Sequence, residues 1–269
     1  MTLVFGLGIL SGCGGAGQSG GISGSNPTVD TSGISSGVGG SSGAVQNFGT
    51  GTVALIYSGT GVCSEDCADA AAESARLAGL TPKLVTGSAL ANAATDAQVA
   101  DFFKDVAVWV EPGGYATNSY QGMTTKLRTA LKTFIQSGGG YVGFCAGAFM
   151  ATSIIGSTGV SGLGVFPGKT YPYNGSTTEI VNWSGQTQSV YWEGGPYFYN
   201  YDSSVEPIAY YSNGTTAAAR TTFGSGRVYL SGPHPEAPDW WSGKGSSSSI
   251  AGGQQWIAAN MIKWAAHLE

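Results

Sequence analysis

The chain has 269 residues, enough for one large domain or two small ones, with a formal net charge of −5 and only 10% charged residues. No Lys/Arg cluster exceeds two neighbours, so the basic stripe that a polyanion requires is missing and no nucleic-acid partner is expected. A sparsely charged chain rich in Gly, Ser and aromatic residues fits an extracytoplasmic protein better than a cytosolic one.

In chain order, the apolar run Leu3 to Leu10 is far too short to span a bilayer. It leads into Leu10-Ser11-Gly12-Cys13, which resembles the lipobox of bacterial lipoproteins, where the cysteine becomes the lipidated first residue. No Lys or Arg precedes Cys13, so the usual basic opening of such a signal is missing, and a tail with a chance cysteine is the alternative. Residues 14–46 hold 19 Gly or Ser in 33 positions without apolar periodicity. That composition cannot bury enough surface to offset chain entropy, and it predicts a flexible tether with a reach of roughly 30 Å. The expected layout is a signal over 1–13 with lipidated Cys13, a disordered Gly/Ser tether over 14–47, and a folded domain over 48–269. Such a chain would sit in the cell envelope, at the periplasmic or extracellular face of a bacterial membrane, touching lipid through its anchor only.

Within the domain, Val53 to Tyr57 is a short apolar strand that ends in Ser58-Gly59-Thr60-Gly61. Ser64 to Ala78 is Ala-rich, with acids early and Arg76 late, so it reads as a helix stopped by Gly79. Lys83 to Val85 is a second strand. Thr95 and Gln98 form a capping box for a helix to about Lys104. Val106 to Val110 is a buried strand that runs into Pro112-Gly113-Gly114. Thr124 to Ser137 carries apolar residues at helical spacing. Tyr141 to Phe144 is again a strand. Strands alternating with helices predict an α/β, doubly wound and mostly parallel sheet, with ligands at the carboxyl ends of the strands. Between residues 162 and 226 the texture changes to alternating aromatic and polar residues, which predicts antiparallel hairpins laid on or beside that sheet. Arg227 to Leu230 returns to a core strand, 246–249 is loop, and Ile250 to Leu268 is a closing helix with Ile257, Met261, Trp264 and Leu268 on one stripe.

Two stretches carry chemistry. Gly143-Phe144-Cys145-Ala146-Gly147 leaves a buried strand and opens a small-residue helix, so a tight turn flanked by glycines would thrust the Cys145 side chain outward. Gly232-Pro233-His234-Pro235-Glu236 puts His234 and Glu236 two apart, on one face if the segment is extended. The only other histidine, His267, is the third residue from the C-terminus, where it would meet the last helical carbonyls. A thiol, an imidazole and a carboxylate are the parts of a nucleophilic triad, Cys145, His234 and Glu236, although a lone buried cysteine also serves as a small hydrophobe. The amides of Gly114 and Ala146 would then form the oxyanion hole. Gly113, Glu193, Gly194 and Gly195 are candidate substrate contacts, with a solvated strand end as the plainer reading of Glu193. Cys63 and Cys67 admit a local disulfide if they precede regular helix, and free thiols otherwise. No cofactor or metal is implied. The aromatic residues from Tyr171 to Trp241 read as the core and rim of the hairpin layer, or as an aromatic-lined cleft.

These residues resemble the class I glutamine amidotransferase-like superfamily, and more closely the biotin-protein ligase N-terminal domain family. The matching segments are Tyr57 to Gly61, Pro112 to Gly114, Gly139 to Gly147, Phe166-Pro167-Gly168, Tyr173-Asn174-Gly175, Gly194-Gly195 and Gly226 to Glu236, all in one order. The resemblance implies a flavodoxin-like fold and the Cys145, His234, Glu236 triad. It does not imply biotin ligation, because no Gly-Arg-Gly-Arg-type loop occurs in the chain. No synthase partner to receive ammonia is encoded here. The expected activity is therefore hydrolysis of a small-molecule amide or a peptide, and the alternative is a silent binding module that keeps the triad as scaffold.

Overall fold

The computed structural model describes residues 50–64, 66–242 and 254–269. Lipobox Cys13, the Gly/Ser segment, the loop at 246–249 and the expected helix start at Ile250 lie outside the described residues.

The first half of the domain alternates strands and helices: β1 (Val53–Tyr57), α1 (Cys67–Leu77), β2 (Thr81–Val85), α2 (Asp96–Phe103), β3 (Val106–Glu111), α3 (Ala116–Gly122), α4 (Thr125–Gln136), β4 (Gly140–Phe144) and α5 (Ala146–Met150). β1, β3 and β4 are buried along their whole length, as near-continuous apolar runs must be when helices cover both faces of a parallel sheet. Local signals set the helix starts. The Thr95 hydroxyl accepts from Gln98 N while the Gln98 side chain accepts from Thr95 N, which closes the capping box of α2. Thr124 caps α4 in the same way by accepting from Leu127 N.

The second half runs β5 (Lys169–Pro172), β6 (Thr178–Trp183), β7 (Gln186–Tyr191), β8 (Pro196–Tyr199), β9 (Glu206–Tyr211), β10 (Thr216–Phe223), β11 (Gly226–Ser231), a 3-10 turn at Asp239–Ser242 and α6 (Gln255–Ala265). The strand order is β2-β1-β3-β4-β11-β10-β9-β6-β7, with β8 pairing β10 and β5 off that path. The pairs from β2 through to β11 are parallel, and those from β11 outward are antiparallel. The hairpins thus lie beside the sheet and extend it; only β5 and β8 leave its main line. α1 and α6 pack Ala71, Ala75, Ile257 and Met261 onto one face, while α2 and α4 pack Phe103, Leu127, Leu131 and Phe134 onto the other.

The apolar stripe of α6 is shorter than expected. Ile257 and Met261 are buried, but Leu268 lies beyond the helix end and is exposed, because the chain turns left-handed at His267. No described helix is long and apolar enough to cross a membrane.

Register decides what gathers at the carboxyl edge. Gly143 of β4 lies between Glu111 of β3 and Leu230 of β11, and Phe144 pairs with Ser231. Whatever follows β3, β4 and β11 therefore emerges side by side.

Candidate active site

Cys145 stands between β4 and α5 with φ 46° and ψ −98°, a conformation that L-residues rarely adopt. Its neighbours must be small. A Cβ on Gly143 would come within 2.5 Å of the Gly147 carbonyl carbon, and one on Gly147 within 2.8 Å of the Glu111 side chain. The Cys145 amide is tied to Ser231 O at 2.8 Å, while its carbonyl accepts from Ala148 N and Phe149 N. The strained turn is thus fixed from both sides. The thiol is only 5% exposed and donates to the backbone carbonyl of Glu193 at 3.4 Å.

β11 delivers the imidazole. His234 N donates to Tyr191 O at 2.8 Å, which makes a one-residue antiparallel bridge to the end of β7. Its ring lies edge-on against Tyr191 and Trp241, with centroids 5.7 and 5.8 Å away. Nδ1 is 2.8 Å from Glu236 Oε1, and the Cys145 sulfur lies close enough to the ring to interact with it electrostatically. The backbone here departs from the extended form expected of it. Pro235 and Glu236 form a turn closed by Ala237 N donating to His234 O at 3.2 Å, because proline favours the second position of such a turn. The side chains of His234 and Glu236 still meet, now across the turn. Glu236 is fully buried and its carbonyl accepts from Gln255 Nε2 at 3.0 Å.

Burial of the imidazole opposes its charged form, but the Glu236 carboxylate and the Cys145 sulfur, through charge and hydrogen bonding, outweigh it. The His234 pKa is held well above the usual histidine value. A positively charged ring between a sulfur and a carboxylate is the arrangement that stabilises a thiolate.

The glycine loops divide by role. A Cβ on Gly113 would fall on the His234 ring, so this glycine lets the loop close against the imidazole. Gly114 has φ +138°, and the bonds on either side of it run from Tyr115 N to Gly61 O and from Cys63 N to Gly113 O, so its own N–H stays out of that ladder. The Ala146 amide heads α5, where no intrahelical carbonyl is in reach. Gly195 is pressed against the Gly232 carbonyl, whereas Gly194, with φ +68°, is exposed and open. Glu193 turns its carboxylate to the Tyr191 hydroxyl at 2.7 Å; what it brings to Cys145 is its carbonyl.

Cys63 and Cys67 form a disulfide, with Cα atoms 5.7 Å apart, at the start of α1. A cavity of about 190 Å³ opens beside His234, lined by Thr178, Ser189, Tyr191, Asp239 and Gln254 among others. A larger hollow of about 550 Å³ between α2 and α4 shares no residue with this site. Among the described residues no group of three or more His, Cys, Asp or Glu is placed to hold a metal ion.

Two features near the site escaped the sequence reading: the short helix α3 and Glu111. The last had a readable signal, an acid at the end of an apolar strand directly before Pro112-Gly113-Gly114.

The family model described as biotin-protein ligase, N terminal, matches residues 52–160. That span includes Cys145 and the Gly113-Gly114 loop and ends before His234. Among solved structures, a crystal structure of glutamine amidotransferase aligns with a TM-score of 0.56 at 16% identity, over 81% of this chain and 100% of that one. A putative GMP synthase protein from Thermoplasma acidophilum gives 0.50 at 10% identity, over 81% of this chain and 97% of that one. A cold-adapted β-galactosidase from Rahnella sp. R3 gives 0.50 at 14% identity, over 81% of this chain and 32% of that one. At these identities the likeness establishes the fold alone. No curated protein matches the chain.

Proposed function

We propose, for a chain whose residues 52–160 match the biotin-protein ligase N-terminal family and whose fold is that of the glutamine amidotransferases, that it hydrolyses an amide or peptide bond through Cys145. The single observation that carries this reading is His234, buried, hydrogen-bonded to Glu236 and interacting with the Cys145 sulfur. In the first step the Cys145 sulfur attacks the acyl carbon, and the proton it gives up resides on His234. Glu236 holds Nδ1, which leaves Nε2 facing the sulfur. The amides of Gly114 and Ala146 receive the oxyanion. The C–N bond then breaks, the leaving nitrogen takes the proton from His234, and an acyl thioester stays on Cys145. Water, deprotonated by His234, cleaves the thioester and restores the thiol.

The reading is tested by peptide-resolved alkylation of the whole chain with iodoacetamide, together with a screen of amides and peptides. Cys145 should outreact free cysteine near neutral pH, and His234→Ala should slow it by about tenfold or more, as expected when the neighbouring cation that favours a thiolate is lost. Labelling of Cys145 no faster than free cysteine in the wild-type chain would overturn the nucleophile.

One observation favours a second reading. The thiol is nearly covered and bonded to the Glu193 carbonyl, as suits a closed scaffold that binds a ligand beside His234 without turnover. Fast alkylation with no hydrolysis across the screen is the result that selects it.

In either case the protein works in the cell envelope, held by a lipid on Cys13. Chain produced in a bacterium with a complete secretion signal should then partition into detergent, and Cys13→Ser should remain in the aqueous phase. Equal partition of the two proteins rejects the anchor.

A further inference from the structure

Glu111 is the last residue of β3, fully buried, and the proposed mechanism does not use it. One carboxyl oxygen accepts from Trp109 Nε1 at 3.0 Å, while the other has no hydrogen-bond partner among the described residues and the Ser119 hydroxyl of α3 lies nearby. The titratable groups that face it are two phenols, Tyr57 from β1 and Tyr141 from β4. From α5 it meets backbone: Gly147 packs so closely on the Glu111 carbonyl and Cβ that no side chain fits between them. The Tyr141 hydroxyl in turn donates to Gly147 O at 2.8 Å. Glu111 thus lies directly beneath the first turn of α5 at Gly147, which is one residue past Ala146 and two past Cys145.

A carboxylate in this place lacks a cationic partner among the described residues, and burial makes its charged form costly. Desolvation raises the Glu111 pKa to about 8, against the opposing pull of the Trp109 hydrogen bond and the nearby Ser119 hydroxyl. At neutral pH the group is mostly a protonated acid.

We propose that Glu111 is a positioning residue of the Cys145 site, its buried neutral carboxyl leaving the Tyr141 hydroxyl free to hold the first turn of α5 at Gly147 and drawing that hydroxyl away when it ionises. The ionised group places a negative charge under the amides that face the sulfur and the oxyanion, and it competes with Gly147 for the Tyr141 hydroxyl. Both effects slow reaction at the Cys145 sulfur. The inference rests on the reading of Cys145 as the reacting group.

The test compares alkylation of Cys145 by iodoacetamide, read by peptide mass on the whole chain, in wild type, Glu111→Gln and Glu111→Ala between pH 6 and 10. The amide cannot ionise yet keeps the shape of the acid. The ratio of the wild-type rate to the Gln rate should fall across a step near pH 8, by on the order of tenfold, the size expected of one buried charge acting through a few atoms of packed backbone. The Ala variant should be slow at every pH, and the Gln variant should restore the rate that Ala loses. Ser119→Ala removes the nearby hydroxyl dipole that favours the charged form, so it should move the step to higher pH; this mild change keeps the test decisive if Glu111→Gln does not fold. A ratio that does not change with pH, or a step unmoved by Ser119→Ala, overturns the proposal. Because the readout is a ratio, uniformly slow labelling counts against the nucleophilic reading of Cys145 and not against Glu111.

Discussion

Gly147 shows how little freedom the elbow has. Added to Gly147, a Cβ would sit 2.8 Å from the Glu111 Cβ and closer still to its carbonyl oxygen, both parts of a packed strand end that cannot swing away. Gly147→Ala should therefore lower stability by about 1–3 kcal/mol, the usual cost of overpacking a core. It should also slow alkylation of Cys145, since the relief available is a shift of α5. Gly79 is the useful comparison: its φ is +88° and nothing lies within 4 Å, so Gly79→Ala carries only backbone strain, about 1 kcal/mol, and leaves labelling unchanged. Urea unfolding of both variants, with the labelling rate of each, checks this. Equal labelling in Gly147→Ala and wild type contradicts the tight-elbow account. The glycines at 143 and 147 are visible in the sequence, but the reason for the second is not: it is Glu111, thirty-six positions away, meeting it through the pairing of β3 with β4.

At the scale of elements, what could be read depended on whether the cause was local. The capping box at Thr95, the apolar period of α4 and the buried runs of β1, β3 and β4 are properties of consecutive residues, and each element lies within a few residues of its expected place. α3 has no such signal: Ala-Thr-Asn-Ser-Tyr-Gln-Gly carries one large apolar residue and no side-chain cap, and Ser119 is its one buried position. β5 and β8 are four residues each, with a proline at one end, and they exist because they pair with one another and β8 reaches β10. The site follows the same rule. The Cys145 turn and the His234 segment are local patterns, whereas the contact between them comes from β11 pairing with β4 in register. The disulfide loop adds a non-local brace that no spacing reveals. Gly61 O and Cys63 N hold the segment from Gly113 to Tyr115 by two hydrogen bonds, so the Cys63–Cys67 link fixes the loop that carries the proposed oxyanion donor.

Over the whole molecule the sheet joins two halves with different duties. The parallel half supplies Cys145, His234 and Glu111 at its carboxyl edge, and the antiparallel half brings Tyr191 and the Glu193 carbonyl over them. This division gives stability a particular dependence on pH. Glu111 has a folded pKa of about 8 against an ordinary value of 4.5, so between those values the folded chain binds a proton that the unfolded chain releases. Its contribution is full below pH 4.5 and is lost as pH rises through about 8. His234, raised above 6.5, acts in the same direction, its contribution present below 6.5 and lost above its folded value. Stability should therefore fall from about pH 5.5 to about pH 9, in a window where ordinary carboxylates no longer titrate. At about 1.4 kcal/mol for each tenfold change in proton affinity, the Glu111 part amounts to a few kcal/mol. Glu111→Gln removes that part and leaves the slope due to His234, so urea midpoints of the variant should change less across this range, with the two proteins diverging most above pH 8. Parallel midpoint curves for wild type and Glu111→Gln would show that the buried carboxyl is ionised throughout, and the neutral-acid account of the elbow would fall with that result.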